Sequence, residues 1–192
     1  MPLTTEQQDA LARMAEAAVN AEQSSGLPAE ISVAQCILES AWLRRAPGNN
    51  CFGIKDTNRF PGAQYLFTKE FTEGVWATSQ QAFEVYPDLT ACFADHSGLL
   101  TGKYGRNVYT PCWEQYLRDG SVDGLVLGIA KYYATDPEYA KIVTVLVHGP
   151  NVAAAVLQAA KDRVVAVAEE GSTLNDLAPA EDRLRQIRSR LC

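Results

Sequence analysis

Apolar residues recur at helical spacing along most of the chain, and only the stretch from Asn49 to Pro87 breaks that rhythm. There Gly, Thr and aromatic residues dominate, and Tyr65, Phe67, Lys69 and Phe71 alternate with Leu66, Thr68, Glu70 and Thr72. Alternation is the mark of an extended strand; Glu73-Gly74 supplies a turn, and Trp76 to Tyr86 reads as a second strand. One hairpin set among helices predicts an α+β chain that is mainly α.

The helical segments have recognisable ends. Thr4 or Thr5 can cap a first helix carrying Leu11, Met14, Ala15 and Ala18 on one face, which stops at Ser24-Ser25-Gly26. Pro28 suits the first turn of a second, whose apolar spacing runs through Ile31, Ala34, Ile37, Leu38 and Trp42 until Pro47-Gly48. Further helices are predicted from Asp88 to Thr101, Cys112 to Asp119, Val122 to Tyr133, Pro137 past Val147, and 151 to 170. Gly171 to Pro179 reads as a linker. Glu181 to Leu191 is amphipathic, with Leu184, Ile187 and Leu191 on one face; that face either packs back on the core or serves a protein partner or self-association. With 192 residues, 47% of them hydrophobic, the chain suits one compact domain with appendages. The expected division is 1–150 for that domain and 151–192 for a C-terminal helical extension.

Charge and cysteine usage remove several classes of function. A net charge of −6 with no basic block argues against nucleic acid as a partner. No apolar run is long enough for a membrane span, and the polar start from Met1 to Gln8 does not resemble a signal peptide. Cys36, Cys51, Cys92, Cys112 and Cys192 form no close pair, and with only His96 and His148 to assist them no metal site is expected. Nothing in the sequence asks for a cofactor.

Glu39 follows Cys36-Ile37-Leu38 and precedes Ser40-Ala41-Trp42 near the end of the second predicted helix. Apolar neighbours that exclude water can keep a carboxyl protonated near neutral pH, as a general acid requires. Three other segments stand beside it: Asn49-Asn50-Cys51-Phe52-Gly53-Ile54-Lys55, Thr68-Lys69-Glu70, and Tyr133-Ala134-Thr135-Asp136-Pro137-Glu138-Tyr139-Ala140. Together with Ala34 to Trp42 they resemble the glucosaminidase family of bacterial cell-wall hydrolases, glycoside hydrolase family 73, over about Leu27 to Val147.

The resemblance implies a lysozyme-like fold, with a helical lobe and a small β-hairpin lobe (about 52–87) flanking a glycan cleft. It implies an endo-β-N-acetylglucosaminidase that cleaves the β-1,4 bond between N-acetylglucosamine and N-acetylmuramic acid in peptidoglycan. Glu39 would be the general acid, Glu70 the second carboxylate with Glu73 as its fallback, and Tyr133 a residue orienting the substrate's N-acetyl group or an attacking species. Asn50, Phe52, Trp42 and Tyr139 would bind substrate or, for Trp42 and Tyr139, simply pack, while Asp136 reads as a helix cap. Tyr65, Phe67, Phe71 and Trp76 are expected either to grip glycan or to form the small lobe's core. Two departures from the family pattern stand out. Ala41 and Leu43 occupy positions where relatives often carry glycine, adding side chains beside the acid, and Glu84 stands where relatives often carry arginine. A lysozyme or lytic transglycosylase on a related fold, and a non-catalytic wall-binding module, are the competing readings. The place of action would be the cell wall or periplasm, for a phage endolysin, an effector of a specialised secretion machine, or a chain trimmed of its leader.

Overall fold

The computed structural model describes residues 2–72, 75–169 and 174–191, and the side chains of 69–72, 75–77 and 174–176 lie outside that description. Helices α1 (Thr5–Ser25) and α2 (Ala29–Ser40) lead into β1 (Ala63–Thr72) and β2 (Val75–Glu84). Six helices follow: α3 (Leu89–Leu100), α4 (Thr110–Asp119), α5 (Val122–Tyr133), α6 (Tyr139–Val147), α7 (Pro150–Glu169) and α8 (Leu174–Leu191).

Helix α1 begins in a capping box: the Thr4 hydroxyl accepts from the Gln7 N–H at 3.2 Å and the Gln7 side chain accepts from the Thr4 N–H at 3.0 Å. It ends at Gly26, whose φ of 76° closes the last turn through a 2.8 Å bond to the Glu22 carbonyl. Pro28 stands just ahead of α2, and every residue from Ala29 to Ile37 is buried. A mainly apolar helix buried all round must be covered on all sides. Val33 and Cys36 join Met14, Phe93, Val156 and Ile187 on one side, while Ile31 and Ala34 join Leu27, Trp113, Ile129 and Val143 on the other. Helix α2 is thus the wall shared by two apolar clusters, and its far end delivers Glu39.

The hairpin forms as the alternation predicts, antiparallel from Ala63 opposite Glu84 to Thr72 opposite Val75; Glu73 and Gly74 lie outside the described residues. A third extended strip supports its root: Asp56 N–H donates to the Ala82 carbonyl at 2.9 Å, and Glu84 N–H donates to the Ile54 carbonyl at 3.0 Å.

Two expectations need correction. Helix α2 stops at Ser40, well before Pro47, because the next three residues leave the helical region of backbone space. The segment expected to be a linker to Pro179 is helical from Leu174, with Pro179 inside α8. Tertiary packing outweighs the proline there: Ala180 and Ile187 are buried, and Arg190 forms a two-pronged ion pair with Glu30 at 2.9 and 3.0 Å. The apolar face of α8 packs back on the core. No single described helix is long and apolar enough to cross a membrane.

Candidate active site

Glu39 is the last residue but one of α2, and the backbone turns sharply after it. Ala41, Trp42 and Leu43 have φ of 50°, 64° and 64°, a left-handed run that non-glycine residues enter only at a cost. Ser40 holds the turn: its buried hydroxyl donates to the Cys36 carbonyl at 2.6 Å and accepts from the Leu43 N–H at 2.8 Å. Arg44 then pairs with Glu6 on α1 through two bonds of 3.1 and 2.8 Å. Trp42 and Leu43 pack against the apolar core.

The Glu39 side chain opens to the cleft but is partly enclosed, and desolvation raises its pKa above the ordinary carboxyl value. Tyr139 opposes that shift by donating its hydroxyl to Glu39 Oε1 at 3.1 Å. Gln35, one turn back on α2, donates to the Tyr139 oxygen at 3.0 Å. The result is a directed chain, Gln35 to Tyr139 to Glu39, in which the tyrosine proton is committed to the carboxyl. Tyr139 is buried, held by this chain and by stacking on Tyr133 at 5.7 Å between ring centroids. Burial holds the Tyr133 hydroxyl well above the ordinary phenol range, so it remains a proton donor.

Two hollows meet at Glu39 and Gly53. One, of about 140 Å³, is lined by Arg45, Asn50, Gln64, Leu66 and Phe83; the other, of about 400 Å³, by Phe52, Lys55, Arg59, His96, Tyr109 and Tyr133. Gly53 has a φ of +65°, and a Cβ there would meet nothing within 4 Å, so the chain passes the cleft as bare backbone. A larger groove of about 790 Å³ runs between α1 and α7 and shares no lining residue with these two.

Asn50 shapes the wall from within. Its amide donates to the carbonyls of Ile54 at 2.8 Å and Glu84 at 3.0 Å, and its oxygen accepts from the Ile54 N–H at 3.0 Å. Glu84 is buried, and its carboxylate accepts from the Thr57 N–H at 2.9 Å and hydroxyl at 2.6 Å, so it ties the hairpin root together. Arg59, Tyr86 and Asp95 form a second knot there: both Asp95 oxygens accept from Arg59 at 2.8 and 2.9 Å, and Tyr86 donates at 2.7 Å. Asp136 accepts from the Glu138 N–H at 2.9 Å, forming a turn just before α6.

His96 enters the site without a signal from the sequence. It is buried, stacks on Phe52 with centroids 3.7 Å apart, and neither ring nitrogen has a hydrogen-bond partner among the described residues. Burial pushes its pKa down to about 3, so the ring is neutral. Among the described residues no cluster of His, Cys, Asp and Glu could hold a metal ion.

On the hairpin, Gln64 and Leu66 line the cleft, whereas Tyr65 and Phe67 are 64% and 76% exposed. The two-residue period of a strand puts those aromatics on the opposite face, so they neither reach the cleft nor fill the lobe. Glu70 stands opposite Ala77 in the β-ladder; its side chain, like those of Phe71 and Trp76 and the whole of Glu73, lies outside the described residues.

The sequence and the fold that carry this site have counterparts among known proteins. The family model for glucosaminidases, described as mannosyl-glycoprotein endo-β-N-acetylglucosaminidase, matches residues 15–151. The chain belongs to the glucosaminidase family. The chain is 35% identical over 123 residues to a probable N-acetylmuramidase of Lactococcus lactis subsp. lactis, covering 60% of this chain and 27% of that protein. It is 31% identical over 156 residues to the peptidoglycan hydrolase FlgJ of Salmonella typhimurium, covering 76% of this chain and 47% of that one. It thus spans about a fifth to a half of the length of the curated relatives it matches. Among solved structures it is similar to the catalytic domain of the autolysin Auto from Listeria monocytogenes, with a TM-score of 0.68 at 23% identity, covering 81% of this chain and 90% of that one. A C-terminally truncated glycoside hydrolase domain of FlgJ from Salmonella typhimurium gives a TM-score of 0.57 at 29% identity, covering 73% of this chain and 95% of that one.

Proposed function

We propose that this glucosaminidase hydrolyses peptidoglycan as an endo-β-N-acetylglucosaminidase, with Glu39 as general acid, and that it acts in the cell wall or periplasm. The observation that carries the reading is the position of Glu39: one carboxyl, its pKa raised by desolvation, where two cleft hollows meet. A glycan laid through both hollows would have its scissile oxygen at that junction.

In this reading Tyr139 fixes the rotamer of Glu39 through Oε1, leaving Oε2 to carry the proton given to the departing sugar oxygen. The phenol of Tyr133, beside Tyr139 in the larger hollow, remains protonated and offers one hydrogen bond to the substrate's N-acetyl group or to an attacking water. Glu70 is the proposed second carboxylate; its place in β1 shares the even parity of Gln64 and Leu66, which line the cleft. Direct attack by water inverts the sugar carbon, whereas attack by Glu70 or by the N-acetyl oxygen retains its configuration, and proton NMR of an early digest reads that difference. Asn50 and Phe52 hold the wall against which the sugar rests.

The Lactococcus relative bears the name of a muramidase, so the bond cleaved is the point to test. Purified peptidoglycan digested by the protein and analysed by mass after borohydride reduction should show reduced N-acetylglucosamine ends. Reduced N-acetylmuramic acid ends would assign the chain as a muramidase, and anhydro-muramoyl ends as a transglycosylase.

A further inference from the structure

Three thiols lie buried beside the cleft, with Cys51 at the wall of its smaller hollow. Cys36 on α2, Cys51 beside Asn50 and Cys92 in the first turn of α3 are all 1% exposed or less, and none is bonded to another. Cys51 Sγ is 3.5 Å from Cys92 Sγ, and Cys36 is near enough to Cys51 to help raise its pKa. A disulfide spans about 2.05 Å, so the two sulfurs need approach by only about 1.5 Å. The two residues are 41 positions apart, and the segment between them is the whole β-lobe with both of its stems.

We propose that Cys51 and Cys92 form a disulfide when the chain folds in an oxidising compartment, stapling the root of the β-lobe to α3. The oxidant is a disulfide donor, either a small-molecule disulfide or a dithiol oxidase. One protein thiolate attacks the donor disulfide and releases one donor thiol, leaving a mixed disulfide; the second protein thiolate attacks the protein sulfur of that bond and releases the other. Two protein S–H groups become one S–S bond, and the donor disulfide is reduced to two thiols. The contacts with Cys36 and Cys92, together with burial, hold the Cys51 thiol far above its usual range, and a sulfur this enclosed is out of reach of an oxidant. Exchange therefore belongs to folding or to opening of the lobe. Cys36 remains a thiol, its sulfur 3.7 Å from the Ser40 hydroxyl that secures the turn after Glu39.

The setting of this proposal rests on the reading that the enzyme works outside the cytosol. The bond itself is tested without any activity assay, so the two readings fail separately. The full chain, reduced and unfolded, is refolded in a mixture of reduced and oxidised glutathione, alkylated under denaturing conditions, weighed and mapped by protease digestion. The expected product has three of its five cysteines alkylated and a Cys51 peptide joined to a Cys92 peptide. It should melt higher than the same protein refolded with reductant, by on the order of 10 °C. Cys51→Ser and Cys92→Ser should each abolish the linked peptide and the shift, while Cys112→Ser leaves both. Because wild type alone is compared in two redox states, poor folding of a serine variant does not decide the matter. Five alkylated thiols, a Cys36–Cys51 link as the main product, or equal melting temperatures would overturn the proposal.

Discussion

Glu39 is governed by two opposed influences, and one of them can be removed by a single oxygen. Tyr139→Phe deletes the hydrogen bond that favours the charged carboxylate and leaves desolvation unopposed. A general acid works while protonated, so activity is lost as pH rises through its pKa. Deleting a bond that lowers that pKa moves the basic limb of the kcat/KM profile to higher pH. The rate at the optimum should also fall, because the Gln35 amide loses its acceptor and Glu39 its anchor. A pH profile decides it; an unmoved basic limb would contradict the assigned chain of donors. Glu39 itself was legible in the sequence, as a carboxyl closing an apolar run within a recognisable motif. Gln35 and His96 were not. Helical periodicity says that such residues are buried but not what they meet, and the partner of Gln35 lies 104 positions away.

The end of α2 is the element on which the site turns, and it is strained. An alanine in left-handed backbone costs about 1–2 kcal/mol, offset in part by the roughly 0.5–1 kcal/mol that glycine costs by freeing the unfolded chain. Ala41→Gly should therefore stabilise the protein by roughly 0.5–1 kcal/mol, a rise of about 1–4 °C in melting temperature. Leu43→Gly relieves the same strain but removes a side chain packed on the core, so it should give no gain. Calorimetry of the pair checks the account, and equal gains from both would contradict it. Apolar spacing continues through Trp42, so periodicity could not show this stop; the decisive contact is the Ser40 hydroxyl on the Leu43 N–H. Of the side chains that the sequence adds beside the acid, that of Leu43 turns away to the core. On the hairpin the alternation gave the register parity directly, yet which face meets the cleft depends on how the lobe is rooted, through Asn50, Glu84 and Arg59.

At the scale of the whole molecule, α8 closes the back of the helical lobe. Arg190 bridges Glu30 on α2 and Glu22 on α1, the latter at 2.8 Å, with both carboxylates buried. Arg190→Met takes the cation from Glu30 and leaves Glu22 with only Arg183 at 3.5 Å, and should cost about 3–5 kcal/mol, lowering the melting temperature by on the order of 10 °C. Burial lifts Glu22 to about 7 even against Arg190, above its value near 4.5 in the unfolded chain. A raised carboxyl pKa means that the fold binds the proton more tightly than the unfolded chain does, so this group's contribution declines as pH rises from about 4.5 to 7. The deficit of Arg190→Met should then be larger at pH 7.5 than at pH 5, which thermal melts at both values would read; a deficit independent of pH would contradict the role given to these carboxylates. The mainly helical core, the hairpin and the family were legible in the sequence, whereas this clamp was not, because Arg190 and Glu30 are 160 positions apart.

The claim on which the account depends is that Glu39 donates the proton. Turnover of purified peptidoglycan by wild type and by Glu39→Gln, compared once both are shown to melt alike, tests it most directly. The account predicts a loss of at least about 100-fold in the variant with its fold intact. Hydrolysis by a folded Glu39→Gln protein within a few-fold of wild type would contradict it.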